Sequence, residues 1–159
     1  MKAVFIQEHG DPSVIEYGDL PDPTQGPDEV LVRVRASALN RLDLYTRAGT
    51  RGTKVAQDQM PRILGGDCAG EIVALGDAVT GLHEGQRVVI NPQCGSNPPQ
   101  MLGTHRQGSN AEFVTVPAVN AIPIADTLSY EQAAALPTVY LPTWGIVIRE
   151  GQLQAHETA

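Results

Sequence analysis

From Glu29 to Ala38 the chain reads Glu-Val-Leu-Val-Arg-Val-Arg-Ala-Ser-Ala, with Val30, Val32 and Val34 falling on one face. Period two predicts a β-strand with one side buried. Shorter β-prone runs lie at Lys2 to Ile6 and Val14 to Tyr17, and the turn residues Gly10-Asp11-Pro12 between them predict a hairpin. Further strands are expected at Ile72-Val73, at Val88-Val89-Ile90, and from Ala111 to Val116, where Pro117 ends the run.

Helical patterns are few. Asn40 to Ala48 carries Leu42, Leu44 and Tyr45 and stops at Gly49, which predicts a short helix or helical turn with glycine as terminator. Ser129, with Gln132 three residues on, predicts a capped helix to Leu136. A second helix is expected over Leu141 to Val147, with Pro137 and Pro142 interrupting any continuous one. The polar stretch Thr50 to Gln59 reads as a loop or lid, and Asn91 to Gly108, poor in apolar residues, as a surface excursion. Short strands with Gly/Pro turns predict a mainly β body, barrel-like and partly open, with short helices; no internal repeat is present.

At 159 residues with 42% apolar content the chain has length for one good core. A formal charge of −7, without any Lys/Arg cluster, argues against nucleic acid and anionic membranes as partners. The chain opens directly on a strand, no apolar run approaches membrane-spanning length, and Cys68 and Cys94 are far apart in sequence. Reduced thiols and a cytoplasmic address are the expectation.

The candidate chemistry centres on Ile63 to Gly76, where Gly65, Gly66 and Gly70 shape a turn that presents Asp67. No histidine stands at metal spacing from a second ligand, and His9, His83, His105 and His156 read as surface residues. Cys68 reads as a small buried hydrophobe.

Five segments in order resemble the N-terminal, GroES-like catalytic domain of medium-chain dehydrogenase/reductases, the superfamily of zinc alcohol dehydrogenases and zinc-free quinone and enoyl reductases. They are Ala38 to Tyr45, Leu64 to Gly76, Gly85-Gln-Arg-Val, Gly108-Ser-Asn-Ala-Glu-Phe-Val, and Leu128 to Pro137. The resemblance implies a GroES-like domain over residues 1–140, with 141–159 starting a connecting helix and a truncated tail. It also implies hydride transfer between NAD(P)H and a small carbonyl, alcohol, quinone or enone, in a cleft shared with a Rossmann domain. No Gly-x-Gly-x-x-Gly occurs in these residues, so the chain resembles a fragment or a single-domain relative that binds no cofactor alone.

In this family a catalytic zinc takes a Cys at the segment of Asn40, a His at Gly66 and a Cys near Tyr140, with an acid at Asp67. An amide, a hydrogen and a phenol do not make a zinc site, so no metal is expected. The structural zinc lobe of the family would need four Cys where this chain has Cys94.

The resemblance makes Asn40, Asp43, Tyr45 and Asp67 the candidate catalytic residues, and Asn40, Arg41, Tyr140 and Trp144 the candidate cofactor contacts. Each has a plainer reading. Asn40 as a helix cap, Asp43 and Arg41 solvated, Tyr45, Tyr140 and Trp144 as core, and Asp67 bonded to the glycine turn or to an arginine all remain open. An apolar face left for the missing domain would favour limited stability or self-association, including a homo-oligomer.

Overall fold

The computed structural model describes residues 1–95, 98, 100–154 and 156–157. Ser96, Asn97 and Pro99 of the expected excursion, and Ala155, Thr158 and Ala159 of the expected tail, lie outside the described residues.

The fold opens on the predicted hairpin, β1 (Lys2–Ile6) and β2 (Ile15–Asp19), with Phe5 opposite Glu16. The second strand starts later than the sequence suggests because Pro12–Val14 forms a 3-10 turn, capped by the Asp11 carboxylate accepting the Ser13 backbone N–H. β3 (Glu29–Ala38) leads to helix α1 (Arg41–Ala48), which ends at Gly49 in the left-handed conformation at φ +66°. The short β4 (Arg62–Ile63) precedes β5 (Asp67–Leu75) and β6 (Arg87–Ile90). A two-stranded ribbon, β7 (Gln93–Cys94) with β8 (Gln100–Met101), is followed by β9 (Phe113–Pro117) and β10 (Ala121–Pro123). The described chain closes with α2 (Tyr130–Ala134), α3 (Pro137–Trp144) and a π-helical turn at Gly145–Glu150.

The strands build a five-stranded antiparallel sheet in the order β10-β6-β5-β3-β9 and a three-stranded one in the order β2-β1-β4. The larger sheet curls because β3 slips against β5 twice, between Leu31 and Val32 and between Val34 and Ala36. Val30, Val32, Ile72, Val88, Ile90, Val114 and Val116 fill the resulting core, all of them fully or nearly fully buried. The alternation in β3 therefore does what its pattern predicts. At Gly70 β5 runs so close to the Arg33 backbone that a side chain there would collide with its carbonyl.

Three sequence expectations need correction. Asn91 to Gly108 is not wholly a surface excursion: it holds the β7–β8 ribbon, and it sends Cys94 inward and Leu102 into the main core. The last helix begins at Pro137, not Leu141, since proline at the first helical position gives up only an N–H that has no intrahelical partner. Pro142 sits inside that helix without ending it.

Candidate functional site

The site forms where the end of β3, the start of β5 and the first turn of α3 meet. Asp67 is the first residue of β5 and is only 1% exposed. Its Oδ2 accepts the Asn40 side-chain amide at 3.0 Å and the Thr138 backbone N–H at 3.1 Å, while Oδ1 accepts the Thr138 hydroxyl at 2.8 Å. A buried carboxylate is tolerated when donors fill its oxygens, and three do so here. Asp67 thus bonds neither to the glycine turn nor to an arginine, the two plainer roles open to it in the sequence.

Asn40 is the N-cap residue of α1 and half-buried. Its backbone N–H donates to Asp43 Oδ2 at 2.7 Å, the reciprocal half of a capping box, and its side chain faces Asp67. Asp43 is not solvated. At 7% exposure it turns its other oxygen to the Gly65 backbone N–H at 3.1 Å, and burial, with the Asp67 charge nearby, raises its pKa above the ordinary 3.8. Gly65 holds that N–H in place at φ +99°, a conformation costly for any other residue.

The remaining candidates divide. Tyr45 is half-buried on α1, with the Arg51 guanidinium 4.9 Å from its ring centroid. Arg41 is exposed. Tyr140 and Trp144 are 60% and 61% exposed on α3 and line an open groove of about 500 Å³ with Leu136, Leu141, Val89 and Ile122. They are therefore not core. Cys68 is fully buried, and desolvation pushes its thiol up to about 12, which leaves it unreactive.

Two residues with structural weight escaped the sequence reading. Thr138 supplies two of the three donors to Asp67 from 71 positions away, with no local pattern to mark it. His9 is not a surface histidine: Nδ1 donates to the Thr46 carbonyl at 2.9 Å and Nε2 accepts the Val55 N–H at 2.9 Å, tying the hairpin to α1 and to the loop after it.

Among the described residues no group of three or more His, Cys, Asp or Glu side chains is placed to hold a metal ion. The positions tested for zinc offer an amide already bonded to Asp67, a glycine and an exposed phenol, so the donor set does not fit that ion. Likewise no helix among them is long and apolar enough to cross a membrane.

Residues 26–126 match the alcohol dehydrogenase GroES-like domain family. A quinone oxidoreductase of Pseudomonas aeruginosa is 31% identical over 157 residues, covering 99% of this chain and 43% of that protein. An NAD-dependent alcohol dehydrogenase of Sulfurisphaera tokodaii is 29% identical, covering 99% and 50%. Among solved structures, an NAD-dependent alcohol dehydrogenase superposes with a TM-score of 0.90 at 36% identity, over 99% of this chain and 49% of that one. The quinone oxidoreductase from Coxiella burnetii gives 0.84 at 29% identity, over 98% and 46%. This chain spans about half the length of the relatives it matches. The match over most of its length and the curled barrel both lead to one assignment: the chain belongs to the alcohol dehydrogenase GroES-like domain family, the N-terminal part of medium-chain dehydrogenase/reductases.

Proposed function

We propose that the chain is the substrate-side domain of a zinc-independent, NAD(P)H-dependent oxidoreductase of the quinone reductase or alcohol dehydrogenase type, inactive without a cofactor-binding domain. One observation carries the zinc-independent reading. The acid that would stand beside a metal ligand has its oxygens filled by Asn40 and Thr138.

The nicotinamide cofactor supplies the hydride when bound. On this chain, Asn40 gives one amide N–H to Asp67 and keeps a second, the group best suited to hold the oxygen of a small carbonyl, quinone or enone, or of the cofactor ribose. Asp67 fixes that amide's orientation, and Asp43 holds the backbone at the start of α1 in place. Tyr45, half-buried on α1, is the remaining catalytic candidate, while Arg41, Tyr140 and Trp144 are the exposed residues available to a cofactor. A cytoplasmic setting belongs to the same reading.

Titration of the 159-residue chain with NADPH is expected to show no saturable binding, and micromolar saturation would overturn the division of labour proposed here. Metal analysis of the purified chain is expected to find no stoichiometric zinc. The coding sequence beyond residue 159 is expected to continue into a glycine-rich βαβ unit, and a stop there would remove the complete-enzyme half of the proposal.

The open apolar groove beside α3 favours a second reading, a stand-alone GroES-like domain that acts as an interaction module. The continuing coding sequence separates the two. A fragment of a zinc alcohol dehydrogenase is disfavoured by the donor chemistry at Asn40, Gly66 and Tyr140.

A further inference from the structure

Helix α3 is poorly equipped to stand alone. It is short, has Pro142 inside it, carries the β-branched Thr138, Val139 and Thr143, and runs into a π-helical turn that adds Ile146, Val147 and Ile148. Isolated helices of this length and composition are marginal in water. Packing does not make up the deficit: Val139, Tyr140, Leu141, Trp144 and Ile146 are all exposed, and an open groove separates the helix from Val89 and Ile122. Its own N-cap residue, Leu136, provides no side-chain acceptor, and Pro137 brings no N–H.

What α3 does have is Asp67. The carboxylate comes from another strand, caps the helix at Thr138 through backbone and hydroxyl, and lies at the positive end of the helix dipole. The same carboxylate holds Asn40 at the start of α1. One buried charge therefore joins three segments that are otherwise distant in sequence.

We infer that Asp67 and Thr138 form a clamp that fixes the direction in which α3 leaves the barrel, joining by hydrogen bonds segments that a metal ion would tie together if its ligands were present. Asp67 and Thr138 are then positioning residues for Tyr140 and Trp144, whose use by a cofactor rests on the reading given above. The clamp itself does not.

The chain has a single tryptophan, Trp144, and it sits on the clamped helix. Amide hydrogen exchange and Trp144 fluorescence anisotropy, measured on the whole 159-residue chain, therefore report on α3 directly. Thr138→Val removes the hydroxyl donor while keeping the backbone one, at a half-buried position that the fold should tolerate. Exchange in residues 138–150 is expected to speed up about tenfold, from the loss of one hydrogen bond to a charged acceptor, while Val30 to Val34 keep their protection. Trp144 anisotropy should fall, Thr138→Ser should restore both signals, and Asp67→Asn should exceed Thr138→Val.

Equal acceleration of barrel and helix in Thr138→Val would reduce the bond to general stability and overturn the clamp, as would no change in either region. Added Zn²⁺ or a chelator should leave the exchange pattern unaltered. Stoichiometric Zn²⁺ that slows α3 exchange in the parent chain but not in Asp67→Asn would show a metal doing the joining. No cofactor enters these measurements, so their failure is distinct from failure of the proposed reaction.

Discussion

The barrel and the C-terminal arm, α3 with its π-helical turn, are both rich in apolar residues, but they use them in opposite ways. In the barrel Val30, Val32, Ile72, Val88 and Val116 are completely buried against one another, so the sheet closes on its own core. In the arm Tyr140, Leu141, Trp144 and Ile146 face outward, and the arm meets the barrel at a polar joint. Apolar content therefore measures self-sufficiency in one region and an unfilled requirement in the other. An exposed apolar stripe on this scale is uncommon on a monomeric domain.

The largest loss of stability is expected in the barrel core. Ile72→Ala is expected to cost about 2–5 kcal/mol of unfolding free energy, measured by denaturant titration, because the curled sheet around it can collapse only partly into the cavity. A loss well below that range would mean that the barrel is as loosely packed as the arm.

A smaller effect is expected at the buried hydroxyl pair Thr46–Thr104, 2.9 Å apart, which joins α1 to the segment after the β7–β8 ribbon. Thr46→Val should cost roughly 1–3 kcal/mol by leaving the Thr104 hydroxyl unpaired, and adding Thr104→Val should recover part of the loss. Failure of the double variant to recover would place the cost in packing.

The pH dependence sharpens the contrast at the site. Burial raises the Asp43 pKa above 3.8, so its contribution to stability is full below the unfolded-state value and is lost as pH rises through the folded one. Glu71 has the opposite sign. Bonds from Arg35 at 2.9 Å and from the Tyr130 hydroxyl at 2.8 Å lower its pKa below 4.5, so its contribution is present at neutral pH and is lost as pH falls through the lowered value. Asp43→Asn should therefore make stability rise more steeply with pH above 3.8 than in the parent chain, and Glu71→Gln should flatten the rise below 4.5. An unchanged slope in Asp43→Asn would contradict the raised value.

The smallest effect belongs to the arm. Tyr140→Ser should leave unfolding free energy within about 0.5 kcal/mol of the parent, since the ring is mostly in solvent. It should also weaken any concentration-dependent association seen in sedimentation. A loss above 1 kcal/mol would show that the arm packs more tightly than its exposure indicates.

Much of the barrel was legible because its signals are local. The alternation in β3 marked the core face, and the Ser129–Gln132 capping box appears with both bonds, at 3.2 and 3.0 Å. Glycine after Ala48 ended α1 as its conformational freedom predicts. The site was legible only in outline. Asn40 and Asp67 could be singled out through the family resemblance, but their bond spans 27 positions and leaves no periodic trace. His9 was misjudged for the same reason, as its partners lie 37 and 46 residues away. In the stretch from Asn91 to Gly108 a polar composition concealed Leu102, since one inward residue suffices to fill a hole in a core and does not alter an average.

The burial of both thiols has a practical use. Cys68 and Cys94 are shielded from solvent, and desolvation raises the pKa of each, so maleimide or iodoacetamide should pass over the native chain. A cysteine introduced at an exposed position, such as Ile146→Cys, would then be the one readily labelled thiol. Spin labels or dyes could be attached to the arm alone, without first stripping the protein of its own sulfur.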